Sequence, residues 1–318
     1  MTRPEGNHDD PLDRLAAEED WRARVRAVET EVSRARRKAR IRQWRPVPSQ
    51  RRSAPVMEGR GVSKIFLGLV AVFLISGSTL WFGIGPASLT VFVFVLSGWL
   101  VTLCLHEFSH ALTAHRSGDD TVAAKGYLRL DPRRYGHWLL TLVLPLFFLV
   151  IGGLPLPGGA VLIETHRLRN RFRDALVSAA GPAVNIVAAA ILLIVVSVFG
   201  PFWIDNLSQP HAAFWAALTF LAYLQVATAI LNLIPMPGLD GYGMIEPYLA
   251  ASTRRIGNKI KPFGVIALFV LLYLPPVRDA FGGACTWFLD VSGAPVNGDY
   301  FGYRLFQFWK DILPTTQG

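Results

Sequence analysis

The run His106-Glu107-Phe108-Ser109-His110 places two imidazoles and a carboxylate within five residues. On an α-helix, positions i and i+4 share a face about 6 Å apart, so His106 and His110 can each turn one ring nitrogen toward a single ion. Nitrogen donors at that spacing suit one zinc ion, and zinc lowers the pKa of water from about 15.7 toward 7. Glu107, beside the first imidazole, stands where a general base would take a proton from that water. The chemistry such a set performs is hydrolysis.

The setting of the motif adds a constraint. Val91 to Leu105 on one side and Ala111 to Leu112 on the other are the residues of a helix buried in lipid. A charged side chain near mid-bilayer costs about 3 kcal/mol on insertion scales, so three ionisable groups in five residues require a partner. Two histidines and a water leave a tetrahedral zinc one protein ligand short. The position six beyond His110 is Arg116, and His115, five residues on, is rotated off the ligand face. Asp240, within Asn232-Leu233-Ile234-Pro235-Met236-Pro237-Gly238-Leu239-Asp240-Gly241, is the candidate third ligand, although Asp-Gly by itself is a turn signal.

The elements that would position these groups are apolar. Of the 318 residues 52% are hydrophobic and only 17% charged, and the mean hydropathy is +0.34, which excludes an ordinary soluble domain. Long apolar runs occupy Ile65 to Phe82, Ala87 to Ala114, Trp138 to Ile151, Ala175 to Phe199 and Phe214 to Leu233, with a shorter one from Phe263 to Leu274. The first run follows a long polar segment and reads as a signal anchor. Cys104 lies in the motif helix and Cys285 beyond the last run, so no disulfide is expected.

Between Arg34 and Lys64 eleven Lys and Arg stand against Glu58 alone, the mark of a cytoplasmic segment facing anionic lipid head groups. No recognition module accompanies it, so no nucleic acid partner is expected. Upstream, Trp21, Val25, Val28, Val32, Ala35 and Ala39 recur at helical spacing, a seam suited to lying on a membrane surface.

Counting crossings tests Asp240. With the amino terminus inside, Ile65 to Phe82 runs outward and Ala87 to Ala114 inward, leaving His106 and His110 in the cytoplasmic half. Were Trp138 to Ile151 a full span, Asp240 would emerge on the opposite face. If that segment instead enters and returns, the two halves of the site meet. This placement also puts Arg129, Arg133, Arg134, Arg167, Arg169, Arg171, Arg173, Arg254, Arg255, Lys259 and Lys261 inside, while Gly200 to His211 contains no Lys or Arg. Trp138 to Ile151 carries Pro145, is shorter than the roughly 20 residues of a span, and runs into Gly152-Gly153-Leu154-Pro155-Leu156-Pro157-Gly158-Gly159.

From Cys104 to about Tyr248 the chain resembles the site-2 protease family of intramembrane zinc metalloproteases, in its short form without appended regulatory domains. The motifs that carry the likeness are His106 to Leu112, Leu128-Arg129-Leu130-Asp131-Pro132, the glycine-rich stretch before Ala160, Ala180-Gly181-Pro182-Ala183-Val184-Asn185, and Asn232 through Gly241. The resemblance implies that His106, His110 and Asp240 bind zinc, that Glu107 is the catalytic base, and that Asn185 and Asn232 shape the site or touch substrate. One departure is Leu154-Pro155-Leu156-Pro157, where relatives carry a polar pair.

The expected fold is an all-α polytopic membrane protein of five to six transmembrane helices, with a re-entrant segment and a short β-hairpin beside the zinc site. A basic cytoplasmic segment (1–62), a membrane-embedded protease domain (63–276) and an aromatic-rich tail (277–318) are expected. The implied activity is peptide hydrolysis in a single-pass membrane protein at a bacterial cell membrane. A metal transporter and a catalytically silent relative are the alternatives.

Overall fold

The computed structural model describes residues 20–35, 62–135, 163–164, 168, 170–204, 206–208 and 211–312. The chain divides into two compact units, Met1–Val56 and Met57–Gly318. In the first, residues 20–35 form helix α1, with Trp21, Val28 and Val32 exposed.

In the second unit, four helices are long and apolar enough to cross a membrane: α2 (Lys64–Trp81), α3 (Ala87–Ser117), and, after the short α4 (Thr121–Ala124), α5 (Arg171–Phe199) and α6 (Ala212–Leu233). A fifth candidate is the pair α8 (Ala251–Leu272) and α9 (Pro275–Ser292), bent by 91° at its break, where Pro275 opens the second helix. The protein is thus an all-helical membrane bundle, and no strand occurs among the described residues. The expected re-entrant segment, the hairpin and most of the basic segment lie outside them.

The starts and stops follow the local sequence. Ser63 caps α2 by accepting from the Ile65 N–H, and Asn170 caps α5 by accepting from that of Arg173. Helix α3 ends at Gly118, whose φ of 120° is the left-handed cap conformation. Helix α6 is the axis of the bundle: 78% of its apolar window is buried, against 17 to 39% for the other three spans.

Helix direction can be read from what touches what. The HExxH residues lie in the C-terminal half of α3, and the α5 groups that meet them, Val177 and Asn185, lie in the N-terminal half of that helix. Asp240, which follows the C-terminus of α6, meets them too. So α3 and α6 run toward the site and α5 away from it.

Carboxy-terminal residues also pack into the bundle. Helix α10 (Gly298–Phe306) packs on α6 and α3, and Phe306, with no exposed surface, sits among Phe92, Phe220 and Trp309. No periodic stretch there is long enough to announce a helix that exists by packing.

Candidate metal centre

Helix α3 carries His106 and His110 on one face, both buried, with Glu107 between them at 3% exposure. Their Nε2 atoms are 3.1 Å apart. Oδ2 of Asp240 lies 3.3 Å from the Nε2 of His106 and 3.4 Å from that of His110. These three side chains are the group among the described residues whose donor atoms converge as a metal cage would.

Whether the cage fits zinc can be tested on its chemistry. Nδ1 of His110 is 2.7 Å from the Val177 carbonyl, and a carbonyl only accepts, so Nδ1 carries the hydrogen and Nε2 a lone pair. Nδ1 of His106 donates in the same way to Oδ1 of Asn185 at 2.5 Å, again leaving Nε2 bare. With both imidazoles neutral, two lone pairs and a carboxylate oxygen then face one point, a donor set that a cation completes. Donors about 2.0–2.1 Å from a tetrahedral zinc stand about 3.3 Å from one another, which is the edge length found. The residues fit the ion.

Helix α5 forms the wall of this cage at Gly181. A Cβ built there would lie 2.5 Å from both Cε1 and Nε2 of His106 and closer still to Nε2 of His110. The next residue, Pro182, lies inside the helix and withdraws the N–H that would bond the Ser178 carbonyl. The loosened turn is where the adjoining Val177 carbonyl takes the hydrogen of His110.

Asp240 reaches the cage by a tight turn after α6. Gly238 supplies a φ of 102°, and Asp240 opens the short helix α7 (Asp240–Ile245). Helix α8 lies hard against this turn, since a Cβ on Gly264 would run into the Pro237 carbonyl. Lys261 on α8 holds Glu246, just past α7, at 2.6 Å. The carboxylate is therefore placed by a clamped turn and not by a free loop.

Of the residues expected from the sequence, His106, His110, Asp240, Glu107 and Asn185 come together. Asn232 is buried in the last turn of α6, seven residues beyond Gln225 and so on the same face. His115 is directed to Asp120, at 3.4 Å. His211 stacks on Trp81 at the far end of the bundle, with ring centroids 3.8 Å apart. His137 and His166 lie outside the described residues. Cys104 and Cys285 are buried and unpaired with each other.

Sequence reasoning missed Gln225, its partner Thr102, and Asp119. Gln225, fully buried on α6, accepts from Nδ2 of Asn185 at 2.9 Å and donates to Oγ1 of Thr102 at 2.9 Å. An amide in the middle of an apolar span was the available signal. Asp119 is fully buried beyond the end of α3 and accepts from the N–H of Glu164 at 2.9 Å. It thereby ties Glu164 to the turn that follows the motif helix. Burial alone would raise its carboxyl, but hydrogen bonds from the Thr121 hydroxyl and from the N–H groups of Glu164 and Thr121 hold it below the ordinary 3.8.

A bundle of apolar spans that closes two imidazoles and a carboxylate around one point defines a membrane metalloenzyme. Comparison with known proteins narrows the class. The profile of peptidase family M50 matches residues 92–275. The chain is 43% identical over 253 residues to the Mycobacterium tuberculosis protein named "Putative zinc metalloprotease Rip2", an overlap of 78% of this chain and 94% of the relative. It is 41% identical over 260 residues to the protein of the same name from Mycolicibacterium smegmatis, covering 80% and 97%. With the Bacillus subtilis protein named "Putative zinc metalloprotease YwhC" it shares 30% over 185 residues, covering 55% and 78%. No solved structure matches. The chain belongs to peptidase family M50, the site-2 protease family, and is a zinc metalloprotease.

Proposed function

We propose that this protein is an intramembrane endopeptidase that cuts within or near the transmembrane segment of a single-pass membrane protein and releases a cytosolic fragment, a step of regulated intramembrane proteolysis. His106, His110 and Asp240 hold the zinc, and Glu107 is the general base. The observation that carries this reading is the convergence of three donor atoms 3.1 to 3.4 Å apart, beside a buried carboxylate, between helices apolar enough to span lipid.

When bound, the ion supplies Lewis-acid chemistry, favouring ionisation of water near neutral pH and polarising the scissile carbonyl. Glu107 accepts the proton of the attacking water and delivers it to the nitrogen of the leaving amine. Asn185 keeps His106 oriented, and Asn232 is offered as a contact for the substrate backbone. Helical peptide bonds are shielded by their own hydrogen bonds, so the substrate segment must unwind before its carbonyl is exposed. The stretch Ala160 to Glu164 pairs with the unwound segment as an added strand, and Asp119 fixes the end of that stretch. The amino terminus lies in the cytoplasm, its basic residues on anionic head groups. The boundaries 1–62, 63–276 and 277–318 divide the chain by sequence character, although the last part supports the bundle.

The transporter alternative needs ionisable groups continuing along a path, and the outer parts of the spans, Ala87 to Gly98 and Ile186 to Phe199, hold none. The test is co-expression of wild type and Glu107→Gln with single-pass membrane proteins, scored for cleavage and for bound zinc. The proposal requires the variant to keep its metal and lose cleavage. Cleavage by the variant at the wild-type rate refutes the role of Glu107.

A further inference from the structure

We infer that Thr102 and Gln225 are positioning residues which, through Asn185, keep the lone pair of His106 aimed at the zinc. The inference rests on the proposed metal site and extends it by two residues that touch neither metal nor substrate.

The hydrogen bonds form one line with one direction. The Thr102 hydroxyl lies 2.8 Å from the Trp99 carbonyl and 3.3 Å from that of Gly98. Both groups only accept, so the single hydroxyl hydrogen is spent there. Oγ1 is then left to accept, and what faces it is Nε2 of Gln225 at 2.9 Å. That turns Oε1 of Gln225 toward Nδ2 of Asn185, 2.9 Å away. It follows that Oδ1 of Asn185 faces Nδ1 of His106. Nδ1 must therefore hold the hydrogen, and Nε2 is bare toward Asp240 and His110.

Each amide in this line could be turned over, but only if the next one turns too. Reversal would bring Nδ2 of Asn185 against Nδ1 of His106 and move the ring hydrogen to Nε2, between the metal and its ligand. Thr102 resists that outcome, because in the reversed line its hydrogen must leave the backbone carbonyl. The residues are well placed for the task. Asn185 and Gln225 have 2% and 0% exposure, so water cannot substitute for a missing partner. Thr102 stands four residues before His106 on the same helix, and the line passes through α5 and α6 before returning to α3, joining three spans at the depth of the site. His110 needs no such device, since its Nδ1 meets the Val177 carbonyl directly.

The experiment uses the full-length protein in lipid nanodiscs, wild type against Thr102→Val, Thr102→Ser and Gln225→Leu, with zinc affinity measured by competition with a chelator of known strength. Valine matches threonine in shape but lacks the hydroxyl. Outer partners of a metal-binding histidine are worth about 10- to 100-fold in affinity, so Thr102→Val should weaken zinc about tenfold and Gln225→Leu by at least as much. Thr102→Ser, which keeps the hydroxyl, should bind as wild type does. In metal-free protein labelled with ¹⁵N-histidine, the His106 signals, assigned by their loss in His106→Ala, should report Nδ1–H in wild type and Thr102→Ser. They should shift toward Nε2–H in Thr102→Val, which a packing defect alone would not produce.

Wild-type affinity and an unchanged tautomer in Thr102→Val overturn the inference, as does an equal loss in Thr102→Ser. Should Thr102→Val fail to fold, Gln225→Leu decides on the same two readouts. A wild-type protein that binds no zinc at all refutes the proposed metal site itself, which is a different result.

Discussion

Replacing Gly181 by alanine should empty the metal site while leaving the helices intact. The added Cβ would stand 2.5 Å from two ring atoms of His106, whereas ordinary van der Waals contact begins near 3.4 Å. The imidazole pair or helix α5 must therefore give way by at least about 0.9 Å, and by more at His110. Zinc sites hold their ligand distances to about 0.2 Å, so the displacement is several times what the cage tolerates. A loss of at least 100-fold in zinc affinity is expected, equivalent to about 2.8 kcal/mol. Alanine is the better helix former by about 0.5–1 kcal/mol, so helicity should be unchanged or slightly raised. Zinc per chain after dialysis, measured beside far-ultraviolet circular dichroism, reads both quantities. A Gly181→Ala protein that retains zinc at wild-type affinity would mean that α5 does not wall the cage.

Glu107→Gln should keep zinc and lower cleavage by about 10²- to 10⁴-fold, the span attributed to general acid–base catalysis, as measured by single-turnover cleavage of a membrane substrate. Gly264→Val should weaken zinc without touching a ligand, because its side chain meets the Pro237 carbonyl and pushes the turn that carries Asp240. Overpacking of that kind costs about 1–3 kcal/mol, readable as a lower zinc affinity and melting temperature. Asp119 gives a pH dependence of known sign. Its carboxyl is held below 3.8 in the folded chain, so the stability it contributes is present above the unfolded value and is lost as pH falls through the folded one. Asp119→Asn should be less stable than wild type near neutral pH, and the difference in thermal unfolding should shrink as the pH is taken below 4.

Much of this site was legible because it uses groups that a bilayer penalises. His106, Glu107 and His110 stood out in an apolar run, and the crossing count brought Asp240 to their depth before any distance was known. Asn185 was visible only as part of a motif; its bond to His106 depends on how α5 rotates against α3, which no single helix encodes. Gln225 carried the same signal, a polar group in a span, yet lay seven residues from the recognised run and passed unread. Gly181 was quoted for its motif, but its use, letting α5 approach the imidazoles, is a property of two helices together. The fold beyond Pro275 was illegible for a related reason. Gly298–Phe306 is too short to be stable alone and is a helix because α6 and α3 give its aromatic side chains a surface to cover.

The central claim is that His106, His110 and Asp240 bind one zinc together. X-ray absorption at the zinc edge of the purified protein tests it most directly. A first shell of nitrogen and oxygen scatterers alone at about 2.0–2.2 Å is expected, with the outer-ring signature of two imidazoles. Asp240→Ala should lose one scatterer of that shell and bind zinc more weakly. A sulfur scatterer near 2.3 Å, or a spectrum unchanged in Asp240→Ala, would contradict it.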